Sequence, residues 1–587
     1  MPAIPSSASA PPRRQRLHVL TATALALAAA GLIVFSGCGS SHSAGTSVDP
    51  ATAIPASAAI YAGADVRPGG AEKSGALAAA KALTHQADPY LRLLGALQSP
   101  GSQQLRFAQD VAPWLGPHAG IFLTSLASAD ALTPLLQQGL LGSGAAGGSL
   151  FPFGAGGAQG AIVLDTSDAA KARSFLDGQA KRAGAHAAPY RGVSVQVNSS
   201  GVAFALVQRL AVIGSEPAVH SVIDTSQGAS ALAGSSGYAK LLSAAPSGAL
   251  AHIYANPSGT SSSGSQTGVG GLLGLLTGGR QANVSLLTTA GSLAIDADTL
   301  ASGSGSGGLI SSDPEAAQAF GELPAESWLA LGLGHLGTSL GADVKGLGAL
   351  ASLASSQASP GVEAPPSAST LNVKSLLGAM LAPLEVLGAD NALARRAFAG
   401  WMGSAGVFAS GGSLLELKAA IVIASKNPAL SRAAVGKLAA VLSSHGGSLR
   451  KVKIPGTDAA VGVALTGLPV VLDIADGRDS TGHTKFVLGF GEASVENALR
   501  PTSVMSQGAA PRTAAATALG EGIQPSAILD FPTVLTLLEG IGLTEDPTIS
   551  KFVPYLRAAS TLSGGGRELS GEVQRFRLVL GLAHASN

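Results

Sequence analysis

Among 587 residues there is a single cysteine, Cys38. One thiol cannot build a disulfide framework or a cysteine-ligated metal site, so any exported domain must be held by packing alone. Charge is also sparse. Charged side chains make up 12% of the chain, 36 basic against 35 acidic, and the formal net charge is +1. No global field would draw in nucleic acid, which is excluded as a partner on that ground. Aromatics amount to 4%, leaving few large core anchors. There is no HExxH pattern and no histidine pair at i, i+4, which removes the common zinc arrangements. What the chain does have is apolar mass. Hydrophobic residues reach 46%, too many for general disorder, and the length suits two or more domains with substantial cores.

The N-terminus carries Arg13, Arg14 and Arg16, then an apolar run from Val19 to Val34, then Phe35-Ser36-Gly37-Cys38. This order resembles the lipobox of bacterial lipoprotein signal peptides, with Phe35 where that pattern prefers Leu, Val or Ile. The resemblance implies cleavage before Cys38 and a diacylglyceryl group on its sulfur. At about 0.8 kcal/mol per buried methylene, two acyl chains hold a protein stably where one does not. The run is shorter than the roughly 20 residues a bilayer core requires. An uncleaved anchor and a plain secretory signal are the alternatives, and all three export the chain. Residues 1–37 then form the signal peptide and 38–53 a flexible tether. The expected location is the extracytoplasmic face of the cell membrane, lipid-anchored.

Landmarks of the mature region recur in the same order in its two halves. Ile54-Pro55-Ala56 leads to Ala59-Ile60-Tyr61-Ala62-Gly63, and Leu323-Pro324-Ala325 leads to Trp328-Leu329-Ala330-Leu331-Gly332. Trp114-Leu115-Gly116 precedes Ala119-Gly120-Ile121-Phe122, as Trp401-Met402-Gly403 precedes Ala405-Gly406-Val407-Phe408. Ala161–Leu164 matches Ala420–Ile423, and Val212-Ile213-Gly214 matches Val487-Leu488-Gly489. The spacing differs where a Gly/Ser/Ala insertion near 142–157 interrupts the first half. We therefore expect two diverged repeats, at 54–300 and 323–587, joined by a linker at 301–322. A second Gly/Ser-rich insertion lies at 258–279.

Within each half the pattern alternates between strands and amphipathic helices. Asp168 is a plausible N-cap for a helix aligning Ala172, Phe175, Leu176 and Ala180, and Asn427 followed by Pro428 stands in the matching place. Val193, Val195 and Val197, then Val202–Val207 and Leu210–Ile213, read as a three-stranded meander. The matching strands are expected near 460–465, 470–474 and 486–490, with turns at Pro455–Asp458 and Asp476-Gly477-Arg478. Hairpin-connected strands with helices in blocks predict an α+β fold, each repeat a mainly antiparallel sheet with packed amphipathic helices, rather than a doubly wound parallel sheet.

Ile54-Pro55-Ala56 leading to Tyr61, Asp65-Val66-Arg67-Pro68, the segment Phe107–Gly116 and the strand Val212-Ile213-Gly214 together resemble an uncharacterised envelope family. That family, found mainly in actinobacteria and cyanobacteria, is catalogued only as a domain of unknown function. The resemblance implies an envelope location and a globular mixed fold over most of the mature chain. It carries over no site residue.

Two catalytic patterns match, both after the strand Trp328–Leu331. Gly332-Leu333-Gly334-His335-Leu336-Gly337 fits the dinucleotide fingerprint but lacks a βαβ context, and Ser352 stands about where the ribose-binding acid belongs. Gly337-Thr338-Ser339-Leu340-Gly341 fits a nucleophile elbow, which a chain this rich in Gly and Ser yields by chance. His252 with Tyr254, and Asp296 with Asp298, fit a solvated sheet face, whereas Trp114 and Trp401 fit core anchors. No catalytic, cofactor-binding or metal-ligating residue is nominated, and Cys38 is the one modification site. The expected function is a non-catalytic binding or scaffold protein of the envelope, with an envelope protein or an apolar ligand as partner. A carrier or sensor of an apolar ligand and a hydrolase using Ser339 are the alternatives.

Overall fold

The segment Val202-Ala203-Phe204-Ala205-Leu206-Val207 has apolar residues at every position, so as a strand it needs cover on both faces. It has that cover. Val202 and Phe204 enter one hydrophobic core, whereas Ala203, Ala205 and Val207 enter another on the opposite side. The same division runs through the molecule, which is an α+β protein with an extended antiparallel sheet and helices on both faces. The computed structural model describes residues 47–67, 74, 75, 77, 107–125, 153, 158–256, 280–289, 291–300, 312–335, 400–413, 415–444, 447–464, 471–545, 549, 550 and 552–583.

The strands of the first half are β1 (Ile60–Asp65), β2 (Leu115–Leu123), β3 (Gly160–Thr166), β4 (His186–Ala187), β5 (Val195–Val197), β6 (Val202–Val207), β7 (Leu210–Ser215), β8 (Ala251–Ala255), β9 (Ala282–Thr288) and β10 (Ser292–Leu300). Those of the second are β11 (Leu329–Leu333), β12 (Met402–Ser410), β13 (Lys418–Ser425), β14 (Ser448–Arg450), β15 (Thr457–Ala464), β16 (Val471–Arg478), β17 (Thr484–Phe490), β18 (Gln524–Asp530), β19 (Ala559–Ser570) and β20 (Val573–Leu582). All 20 belong to one sheet. The pairings, all antiparallel, give the first half the spatial order β4-β5-β6-β7-β3-β2-β1-β8-β9-β10. It continues through β20-β19-β18-β11-β12-β13-β17-β16-β15-β14. The two outer strands are short and exposed, and β14 runs into Lys451 and Lys453, features that discourage edge-to-edge pairing.

Among the described residues, the helices with both ends in view are α1 (Ala169–Arg182), α2 (Glu216–Ser226), α3 (Ser236–Ala244), α4 (Pro314–Gly321), α5 (Pro428–Ser444), α6 (Glu492–Leu499), α7 (Ala510–Leu519), α8 (Phe531–Gly540) and α9 (Val553–Ala558). Asp168 caps α1 as its position predicts, accepting from the backbone N–H of Ala170 and Lys171 at 3.1 and 3.0 Å. Asn427 Oδ1 accepts from Leu430 N–H at 3.2 Å at the start of α5. α1 packs with Trp114, and α5 with Trp401, on the same side of the sheet as Phe204 and Phe486 respectively. Both tryptophans are core anchors, with Trp114 Nε1–H donating to Asp110 O at 2.8 Å. The opposite cores hold α2 and α3 in one half and α4 and α6 in the other.

One expected turn is a strand. Asp476-Gly477-Arg478 finishes β16, because Asp476 is buried against Ser431 Oγ–H at 2.6 Å and a Cβ on Gly477 would lie 2.6 Å from Gly456 O. The chain turns just after it, where Asp479 Oδ1 accepts Thr481 N–H at 2.9 Å and Gly482 takes a positive φ.

The halves meet at β10 and β20. Asp296 lies opposite Arg577, and Asp298 opposite Arg575. Arg577 donates to both Asp296 oxygens at 2.6 Å, and Arg575 to those of Asp298 at 2.7 and 2.9 Å. The remaining Arg575 nitrogen reaches Asp296 at 3.3 Å. Each arginine also binds a helix C-terminal carbonyl. Arg575 reaches Ala244 O of α3 at 2.6 Å, and Arg577 reaches Leu519 O of α7 at 3.0 Å. Burial works against the Arg575 charge, but Asp298 outweighs it and holds the guanidinium above its ordinary pKa. Removing one member of a buried pair strands the other, so Arg575→Ala is expected to destabilise by about 3–5 kcal/mol. Urea unfolding measures it, and a loss below about 1 kcal/mol would contradict the seam's role.

Candidate functional site

The glycine-rich stretch that mimics a dinucleotide fingerprint closes β11. Gly332 lies beneath α4, where a Cβ would collide with Ala316 O and come within 2.7 Å of Phe320 N. Gly334 makes room for the Asp313 carboxylate, whose Cγ would stand 2.7 Å from a Cβ there. Close packing of α4 and its cap therefore accounts for both glycines. The neighbours of β11 are antiparallel, so the strand belongs to no βαβ unit. Leu336 and Gly337 lie outside the described residues, as do the Ser339 elbow pattern and Cys38.

His335 follows directly, at φ +49°. Its Nδ1 lies 2.5 Å from Asp313 Oδ2 and 3.5 Å from Glu315 Oε2. Asp313 Oδ1 faces the other way and accepts Glu315 N–H at 2.9 Å, capping α4. The three donor atoms converge within 4.8 Å of one another. Nothing in local spacing joins Asp313 to His335, because the α4–β11 packing brings them together. Asp313 followed by Pro314 at the first helical position is a local signal for the start of α4, which the expectation of a linker at 301–322 does not use.

A second constellation fills the core of the first half. Tyr61 on β1 faces Tyr254 on β8 in register. Tyr238 from α3 meets both edge-on, with ring centroids 6.0 and 5.2 Å away, and its hydroxyl lies 3.2 Å from His252 Nε2. Gly63 leaves space for the imidazole, since a Cβ there would be 2.7 Å from His252 Cε1. Burial pushes the Tyr61 phenol well up, with the Asp49 charge adding to it, and lowers His252 to about 4. Beside this cluster lies a cavity of about 240 Å³ lined by polar groups including Ser235, Ser236, Lys240, Tyr254, Asn256 and Gln281. Lys240 pairs with Glu572.

The solvated-face expectation fails for Tyr254, Asp296 and Asp298, which are buried, the two aspartates at 0% exposure. Two-sided cover of the sheet is the reason, and arginines neutralise the acids. A different buried acid has no such partner. Asp473 on β16 is 1% exposed, and neither carboxylate oxygen has a hydrogen-bond partner. Burial, with Glu492 adding, raises it to about 6.

A family model described as "Protein of unknown function (DUF3352)" matches residues 19–470. The chain belongs to that family. No curated protein and no solved structure matches the chain.

The Asp473 shift has a defined sign. Below about pH 4 the carboxyl is protonated in both folded and unfolded states and costs nothing. Between about pH 4 and 6 the unfolded chain loses its proton first, so stability falls as pH rises, and the loss persists above pH 6. Asp473→Asn is expected to remove this slope and to stabilise at neutral pH by on the order of 3 kcal/mol. Melting temperature against pH measures it, and parallel curves for the two proteins would refute it.

Proposed function

We propose that this chain is a lipid-anchored protein of the cell envelope, exported by residues 1–37 and held through a lipid on Cys38 at the extracytoplasmic face of the membrane. Its body is a non-catalytic binding or scaffold unit, made of two diverged copies of one α+β frame at 54–300 and 323–587. The observation that carries the copy reading is the strand order, which runs the same way inward from either edge. A meander, β5-β6-β7 or β15-β16-β17, adjoins β3 or β13, followed by the strands that lead to β10 or β20. Recurring sequence landmarks support it independently.

A binding role is supported by uneven filling of that frame. Where β1 and β8 pair Tyr61 with Tyr254, β11 and β18 pair Ala330 with Ile528. Packing alone needs no tyrosine–histidine cluster, since alanine and isoleucine fill the matching place. The anchor reading rests on the Arg-rich start, the apolar run and the lone thiol. Among the described residues no helix is long and apolar enough to cross a membrane.

Cys38→Ala is expected to shift the protein from the membrane fraction to the soluble extract of its host and to abolish labelling by a radioactive fatty acid. Retention of the variant in membranes would replace the lipid with an uncleaved anchor. Native mass spectrometry of the soluble body tests the apolar-carrier alternative, which requires a bound mass that is lost on denaturation.

A further inference from the structure

We propose that Asp313, Glu315 and His335 form a surface site for one divalent transition-metal cation of the Zn²⁺ or Mn²⁺ class. The inference goes beyond the envelope-binding reading and does not depend on the anchor. Three donors from two elements meet here. Two come from the first turn of α4 and its cap, the third from the residue two beyond the end of β11. Their ligand atoms all lie within 4.8 Å of one another. With metal–ligand bonds of about 2.0–2.2 Å, donors around one ion stand roughly 3–3.5 Å apart, close to the 2.5 and 3.5 Å that separate His335 Nδ1 from the two carboxylates.

The donor set separates this cluster from a plain acidic patch. Capping α4 occupies Asp313 Oδ1 alone, and Oδ2 is turned instead toward the imidazole, which also faces Glu315. One nitrogen and two carboxylates suit borderline Zn²⁺ through the imidazole and harder Mn²⁺ through the carboxylates, whereas Ca²⁺ prefers six to eight oxygens. The two carboxylates supply negative charge that a divalent ion would offset. His335 and Glu315 side chains are 49% and 42% exposed, so the cluster lies at the surface, where an ion can reach it from solvent. The first half places Val66, buried at 1%, just beyond β1. It therefore has no histidine to offer there.

The test is calorimetric titration of tag-free, chelator-treated protein with ZnCl₂ and, separately, MnCl₂. One site per chain is expected for at least one of these ions, with affinity falling at least tenfold in both His335→Asn and Glu315→Gln. Neither variant removes the Asp313 Oδ1 bond that caps α4, and asparagine tolerates the left-handed backbone at position 335. Near-UV circular dichroism matching the parent confirms that each variant is folded. Absence of a one-to-one site for both ions, or parent-like affinity in either variant, would overturn the assignment.

Discussion

The architecture depends on the contact between β10 and β20, where two aspartates on one strand face two arginines on the other. Each arginine does two things at once, neutralising a buried carboxylate and closing the C-terminus of a helix, α3 for Arg575 and α7 for Arg577. Backbone pairing alone would join these strands, but it would not fix which residues face each other. The charges do, because a one-residue slip would send every side chain to the opposite face and leave buried ions unpaired. A strand near the C-terminus is thereby locked to one some 280 positions earlier, and two sheets become one.

Charge is handled differently elsewhere in the same sheet. Asp476 accepts a hydrogen bond from Ser431, with the Arg432 guanidinium 3.8 Å away, whereas Asp473, three residues before it on β16, is buried with neither. The contrast fits the cost of an unpaired charge in a low-dielectric interior, which makes Asp473 hold its proton to a higher pH than an ordinary carboxyl. His252 meets the same constraint from the other side. Its imidazole stays neutral so that it can sit between Tyr61 and Tyr238. The core thus holds polar groups that titrate near neutrality or below, although its walls are mostly Ala, Val, Ile and Leu.

Elements with strong local signals were legible. The caps at Asp168 and Asn427 bond as their side-chain chemistry requires, the meander strands fall within four residues of their predicted positions, and Trp114 and Trp401 are buried. The antiparallel character followed from hairpin-sized connections. Less legible were features that depend on what covers a strand. Asp476-Gly477-Arg478 has turn composition but lies in β16, because Ser431 of α5 and the Gly456 backbone approach it from elsewhere in the chain. Asp296 and Asp298 looked solvated because alternation reveals that they share a face, not which neighbour covers that face.

The amino-acid sequence by itself determined the class of the fold, the local helix starts and strand pattern, and membership of a family described only as of unknown function. These depend on periodicity, capping chemistry and residue order, all of which act over a few neighbouring positions. Only the tertiary structure decided the seam between β10 and β20, the burial of the tyrosine–histidine cluster, and the meeting of Asp313 and Glu315 with His335. Such contacts join residues separated by long stretches of chain. Their geometry follows from the packing of whole helices and strands, which no short window of sequence contains.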